Sequence, residues 1–182
     1  MIHTDLSQYS AAAYRPGNLF ARITWYCTSM IFFRTAFPWP KSFKKVLLVL
    51  FGSKIGKGFV IKPCVTIKHP WFLTVGDQVW IGEGVWIDNL APVTIGNHVC
   101  ISQGSYLVSG SHDYQKKTFD LILKPINIKD GAWIAAKCVI NPGVTIGSHS
   151  VIASGSVVTK DTEDFTVYTG NPARSAKERM IE

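Results

Sequence analysis

Five side chains in this sequence can exchange a proton near neutral pH: His3, His69, His98, His112 and His149. An imidazole can take the proton from a weakly acidic hydroxyl while that hydroxyl attacks an electrophilic carbon. His112 stands apart because it lies in Ser111-His112-Asp113, within the irregular stretch VSGSHDYQKKTFDLILKP. From the residues alone it is either a general base or a solvated loop histidine, and Asp113 either orients the imidazole or caps the loop. His69, His98 and His149 fall on corners of the repeat described next and His3 on the terminus, where a surface role is expected. Cys27, Cys64, Cys100 and Cys138 show neither CxxC spacing nor the density of a stapled secreted domain, and read as reduced thiols.

The elements that must position these groups show as a repeat. An aliphatic residue recurs every six positions at Ile55, Ile61 and Ile67, then after a two-residue offset at Val75, Ile81 and Ile87, and after another at Ile95, Ile101 and Leu107. Beyond a longer interruption the phase resumes at Ile128, Ile134, Ile140, Ile146, Ile152 and Val158. Four positions after many of these comes a small or β-branched residue, as at Val65, Val79, Val85, Val99, Ala132, Cys138, Val144, Ser150 and Ser156. Two inward positions per hexad fit one short strand. Glycine after the aliphatic residue, as at Gly56, Gly82, Gly96 and Gly147, suits a corner with unusual backbone angles. An amphipathic helix repeats at three and four residues and a hairpin sheet at two, so neither accounts for the period. A parallel β-helix does: three hexads close a triangular coil, and stacked coils bury continuous aliphatic columns. An α/β protein with scattered strands would leave the phasing unexplained. Repeat proteins carry insertions on one face, often the functional one, and the break between Leu107 and Ile128 holds His112.

With 182 residues, 47% hydrophobic and 17% charged, the chain has room for one domain and a short appendage. The expected division is a helical segment over 1–51, the β-helix over 52–161 with its loop at 108–127, and a tail over 162–182. The net charge of +7 favours an anionic partner, whether nucleic acid, a phosphorylated cofactor or a lipid surface. No long basic run or RNA-binding aromatic motif is present, so nucleic acid is not expected. The opening MIHTDLSQYS lacks the charged and apolar regions of a secretory signal, and the expected location is cytoplasmic. In LFARITWYCTSMIFFRTAFPWP, Arg22 and Arg34 leave eleven residues between charges, too few for a membrane-spanning helix. Residues 1–50 then read in two ways. One is a helix or two packed on the end of the β-helix. The other is an anchor at the inner membrane surface, with aromatics and Lys41, Lys44 and Lys45 facing anionic headgroups.

The stretch WIAAKCVINPGVTIGSHSVIASGSVVTKD, followed by TGNPAR, resembles the hexapeptide-repeat acyltransferases, particularly the galactoside, maltose and nodulation O-acetyltransferases. The resemblance spans roughly residues 52 to 177. It implies an all-β fold with left-handed coiling, contrary to the usual right-handed crossover, and a homotrimer with active sites between subunits. It also implies acetyl-coenzyme A as acyl donor. The N-terminal arrangement leading into LFGSKIGKGFVIKPCVTIKHPW resembles the colanic-acid-biosynthesis branch. That implies direct O-acetyl transfer to a sugar hydroxyl of a polysaccharide or its lipid-linked precursor.

His112 matches the general base of the family, and Asp88, with Asn89 adjacent, stands near the place of an acceptor-positioning asparagine, a departure from the family pattern. By similarity Trp133 packs on the pantetheine end of the coenzyme, Ala135 is a further coenzyme-binding position, and the amide of Ala136, where members often carry serine, stabilises the oxyanion. Ser154, Thr159, Lys160, Arg174 and Lys177 match positions that contact the nucleotide end. Three rival readings remain on the same fold. Acetylation of an amino sugar or a xenobiotic would need a different acceptor. An assembly module would need no broken repeat carrying a histidine. A γ-class carbonic anhydrase needs three histidines on zinc, and with no HxxxxH pair here no metal is expected.

Overall fold

Each hexad does what its pattern asks: two or three residues run extended, with the aliphatic one pointing inward, and a tight corner turns the chain onto the next face. The structure, a computed structural model, describes residues 3–12 and 14–182. Within 1–51, residues 1, 2 and 13 therefore lie outside the described residues.

Three parallel sheets form the faces of a left-handed prism. The first face stacks Lys54–Ile55, Leu73–Val75, Val93–Ile95, Ile126–Ile128 and Thr145–Ile146. On the second lie Val60–Ile61, Trp80–Ile81, Cys100–Ile101, Trp133–Ile134 and Val151–Ile152, and the third carries Thr66–Ile67, Trp86–Asp88, Tyr106–Val108, Val139–Ile140 and Val157–Val158. Like residues meet in register: Ile61 pairs with Ile81, Ile81 with Ile101, and Ile101 with Ile134. The inward column is almost wholly buried, and each such side chain contributes about 1.5–3 kcal/mol by leaving water.

Two kinds of constraint share the corners, and they fall at two different positions rather than on one glycine. The glycine after the aliphatic residue is required by space: a Cβ at Gly56 would meet the Gly76 carbonyl at 2.5 Å, and one at Gly147 the Glu163 carbonyl at 2.5 Å. The left-handed backbone falls two residues later, and Cys64, Gln78, His98, Lys137 and His149 adopt it without being glycine.

Both two-residue offsets and the long break turn the chain from the third face to the first, at residues 69–72, 89–92 and 109–125. All the irregularity of the repeat is thus collected on one edge.

Helix α1 (Leu19–Phe32) begins at Asn18, whose side chain accepts from the Ala21 amide at 2.7 Å, and helix α2 (Lys41–Leu50) starts after Pro40. They close one end of the prism with Trp25, Phe33 and Leu48, and the Trp25 indole donates to the Ile67 carbonyl at 2.8 Å. Lys44 is fully buried, with Nζ on the Lys62 carbonyl at 3.1 Å, and burial lowers its pKa. Lys45 donates to the Gly56 carbonyl at 2.5 Å. The expectation that three lysines face headgroups is therefore corrected: Lys44 and Lys45 tie α2 to corners of the first coil, and only Lys41 is exposed. Among the described residues no helix is long and apolar enough to cross a membrane. At the other end, Thr166–Gly170 stacks on Val151–Ile152 and pairs antiparallel with Ala173–Glu178, so the expected tail is a hairpin that extends the second face.

Candidate active site

The break at 109–125 folds as a hairpin that leaves the prism. Gly110–His112 pairs antiparallel with Leu121–Leu123, placing His112 opposite Leu121. The N-terminal segment straps this hairpin down: the Asp5 amide donates to the Lys117 carbonyl at 2.9 Å and the Leu121 amide to the Ser10 carbonyl at 3.0 Å.

His112 is held on three sides. Its ring stacks on Phe119 at 4.4 Å and 7°, and Tyr9 packs at 5.8 Å. Its Nδ1 lies 3.1 Å from the Phe119 carbonyl, and Phe119 itself is in the left-handed region at φ 50°. A carbonyl can only accept, so Nδ1 carries the proton and the lone pair is on Nε2. The imidazole is partly exposed, with that nitrogen available as a base. Asp113, the other candidate to orient the ring, instead accepts from the Gln115 amide at 3.2 Å and pairs with Lys116 at 3.8 Å. It caps the turn, and the backbone of Phe119 does the orienting. An aromatic within the loop was a visible signal for Phe119; nothing in the sequence singled out Tyr9.

Asp88 and Asn89 part company. Asp88 pairs with Lys68 at 3.0 Å and accepts from the Tyr106 hydroxyl at 3.1 Å. Burial, then the Asp88 carboxylate, pushes Tyr106 up to about 12, so it remains a donor. Asn89 is wholly buried, and both ends of its amide are occupied by the backbone of His69, at 2.9 Å from its N–H and 2.6 Å to its carbonyl. It brackets two stacked corners, and its side chain is closed off from solvent. His69, expected on the surface, is only 5% exposed, with the Tyr14 hydroxyl 2.5 Å from Nε2. Its pKa falls to about 4, first through burial and then through Lys68 and Arg22, and it is neutral at pH 7. The offset at this corner replaces an open turn with packed side chains, which the hexad phase does not reveal. His98 is exposed and His149 half-buried against Phe165.

The residues matched to the coenzyme divide between places. Trp133 faces outward on the second face, 44% exposed, with its indole N–H on Ser102 Oγ at 3.0 Å. Ala135 spends its amide on the Ile152 carbonyl at 2.9 Å. Ala136, at the corner from the second to the third face, makes no hydrogen bond through its N–H among the described residues. Ser154 lies on the same edge one coil further, where the Gly155 amide meets the Ala136 carbonyl at 2.9 Å. Arg174 and Lys177 are exposed on the strand that extends the second face. Thr159 and Lys160 occupy the corner from the third face to the first, the edge that carries the His112 hairpin. From Ala136 to Asn141 the third face is five residues wide, about 16 Å at the rise of an extended strand. One chain thus offers a free backbone donor on one edge and a poised imidazole on the next. Along the donor's edge, towards α2, runs a groove of about 680 Å³ lined by Trp80, Glu83, Ser102, Gln103 and Lys137. Among the described residues no group of three or more His, Cys, Asp or Glu side chains is placed to hold a metal ion.

Comparison with known proteins agrees with this architecture. The family model described as bacterial transferase hexapeptide (six repeats) matches residues 125–160. The chain is 40% identical over 181 residues to the protein named colanic acid biosynthesis acetyltransferase WcaF of Escherichia coli (strain K12), a match covering 97% of each chain. It is 37% identical over 121 residues to the galactoside O-acetyltransferase of the same organism, covering 62% of this chain and 60% of that one. The crystal structure of the hexapeptide-repeat acetyltransferase VCA0836 from Vibrio cholerae O1 biovar eltor, complexed with acetyl coenzyme A, matches with a TM-score of 0.78 at 30% identity, over 89% of this chain and 88% of that one. A phased hexad, a broken coil carrying a histidine, and 40% identity to an acetyltransferase over nearly the full length together place this chain in the hexapeptide-repeat acetyltransferase family.

Proposed function

We propose that this protein transfers the acetyl group of acetyl-coenzyme A directly to a sugar hydroxyl during polysaccharide biosynthesis, with His112 as general base. The observation that carries the reading is the Phe119 carbonyl on Nδ1, which leaves the lone pair on Nε2 of a partly exposed imidazole. As the acceptor oxygen attacks the thioester carbon, Nε2 takes its proton. The N–H of Ala136 stabilises the tetrahedral oxyanion, and collapse expels the coenzyme A thiolate, which receives the proton from the imidazolium. Asp88, tied to Lys68 and Tyr106, positions the acceptor. Trp133 carries the pantetheine, while Ser154, Thr159, Lys160, Arg174 and Lys177 meet the nucleotide end. The relatives named for colanic acid and galactoside, and the acetyl coenzyme A in the Vibrio cholerae structure, support the choice of acceptor and donor.

The face of about 16 Å between His112 and Ala136 is the reason to put each site between two copies of a homotrimer. One subunit supplies the hairpin edge and its neighbour the edge of Ala136 and Ser154. Light scattering should give a mass of about three chains; a fully active monomer would sink the shared site. Release of thiol from acetyl-coenzyme A, followed across free sugars, nucleotide sugars, lipid-linked oligosaccharides and amino sugars, tests the reaction. Preference for an amine over every hydroxyl would move the reading to N-acetylation.

We place the enzyme in the cytoplasm with its helical end at the inner membrane. Phe20, Ile23, Tyr26 and Ile31 on α1, with Val46 and Leu50 on α2, are all exposed. Because Lys44 and Lys45 turn inward, the contact is apolar, and co-flotation with liposomes should persist in high salt rather than fade with screening.

A further inference from the structure

A second cavity, of about 410 Å³, lies between α1 and the third face, and three of its lining side chains are cations: Arg22, Arg34 and Lys68. Lys68 pairs with Asp88, but neither arginine makes an ion pair among the described residues. His69, also in the lining, is neutral and leaves its buried Nδ1 without a partner. Three cations against one carboxylate leave two positive charges unmatched, in a cavity whose remaining walls are mostly apolar, with Ile23, Tyr26 and Trp86 among them. All three cations reach solvent, so the pull on an anion comes from their convergence on one cavity, and guanidinium forks match the oxygens of a phosphoryl group.

The cavity also joins the candidate site. Trp86, 46% exposed, packs on Tyr106 at 4.8 Å with the rings tilted by 32°, and its outer face offers an aromatic platform to a sugar ring. Lys68, Asp88 and Tyr106 continue as a polar rail, and Asp88 lies in register with Val108 at the root of the His112 hairpin. The strap that touches both places is short. Tyr9 packs on His112 and Tyr14 on His69, and five residues of chain span at most about 18 Å.

We propose that this cavity seats the diphosphate that links the acceptor sugar to its carrier, held by Arg22, Arg34 and Lys68. A diphosphate diester carries two negative charges at neutral pH, which matches the two unpaired cations; a lone carboxylate would match one. This rests on the sugar-acetyltransferase reading and adds the class of acceptor: a glycosyl diphosphate rather than a free sugar. The carrier beyond the diphosphate is a nucleoside or a lipid, and the experiment separates them.

The test is calorimetric titration of the full chain saturated with coenzyme A, so that the phosphate contacts of the donor site are already filled. UDP-glucose, farnesyl-diphosphoryl-glucose and glucose are the probes. At least one diphosphate should bind about 10-fold or more tightly than glucose, and R22A/R34A should weaken that probe about 10-fold or more. R22K/R34K should lose less. Should the alanine pair lose helical circular dichroism, Lys68→Gln is read in its place with the same expectation. Which probe binds names the carrier. Failure of both diphosphates to bind, or affinity unchanged in the folded variants, would overturn the site. Binding is read without turnover, so the two readings fail separately. An enzyme that acetylates free sugars and ignores diphosphates loses only this cavity, and one that binds diphosphates but acetylates no sugar loses only the acetyl-acceptor reading.

Discussion

Two edges of the same prism are made from the same hexad and have been put to different uses. Along the edge from the second face to the third the corners stay short, and what they present is backbone: the unpaired Ala136 N–H, flanked by Trp133 and Ser154. Along the edge from the third face to the first the repeat is interrupted three times, and what it presents is side chains: His69, Asp88 and His112. A regular corner fixes an amide to within the tolerance of the stack, which suits an oxyanion donor. It cannot orient an imidazole, because that needs packing from elements outside the repeat. Here Phe119, Tyr9 and the strap through Ser10 supply it.

The comparison breaks most visibly at His112. His112→Ala should lower turnover about 10²- to 10⁴-fold while coenzyme binding and oligomeric mass stay as they are. Steady-state kinetics beside calorimetry check this, and intact-mass spectra should show no acetyl-enzyme. Cys138 is a poor nucleophile in any case, because burial raises its thiol pKa. Near-normal turnover in the variant would end the side-chain role of this edge.

Adjacent residues on the same edge sharpen the comparison next. Asp88→Ala should lower kcat/KM for the acceptor about 10-fold or more, and should also lower the melting temperature, because the buried carboxylate leaves Lys68 and the Tyr106 hydroxyl without their partner. Asn89→Ala should cost about 1–3 kcal/mol of stability by orphaning the His69 backbone groups while leaving kcat/KM for the acceptor nearly unchanged. Acceptor kinetics beside thermal melts decide, and a kinetic loss confined to Asn89→Ala would exchange their roles.

A smaller effect is set by pH. His69 binds its proton at about pH 4 in the folded chain and nearer 6.5 when unfolded, so below 6.5 the unfolded state binds more protons. Its contribution to stability is complete above about pH 6.5 and is lost as pH falls towards 4. Melting temperatures followed across that window should decline less steeply in His69→Gln than in the unaltered protein.

The smallest changes belong to the exposed cations of the donor site. Lys160→Ala and Arg174→Ala should each raise KM for acetyl-coenzyme A about 2- to 5-fold with kcat nearly constant, because they would hold phosphates far from the reacting carbonyl. Unchanged KM in both would remove them from the coenzyme path.

The hexad phase was enough to read the prism, its inward columns and the one long break. The same residue type at the same step can only stack on itself, and a buried isoleucine every six positions leaves the backbone no other period. The resemblance carried by WIAAKCVINPGVTIGSHSVIASGSVVTKD supplied handedness and the donor, neither of which the period contains. Misreadings clustered where the repeat yields to packing. Gly56 marks a close approach between coils rather than a left-handed turn, and the left-handed position two residues on is filled by His98 or Lys137 as readily as by glycine.

What the sequence by itself determined is therefore the local, periodic part: strands, corners and the presence of a histidine in the broken coil. Tertiary structure alone decided which hydrogen-bonding groups were already spoken for. Lys44 reads as a surface charge until α2 folds down and the Lys62 carbonyl takes its ammonium, and Asn89 reads as a ligand until the His69 backbone takes both ends of its amide. It also decided the tautomer of His112, through a carbonyl seven residues away that no pattern distinguishes from any other. The physical reason is common to all three: the partner is a backbone group, which every residue carries, so only the path of the chain determines which one is near.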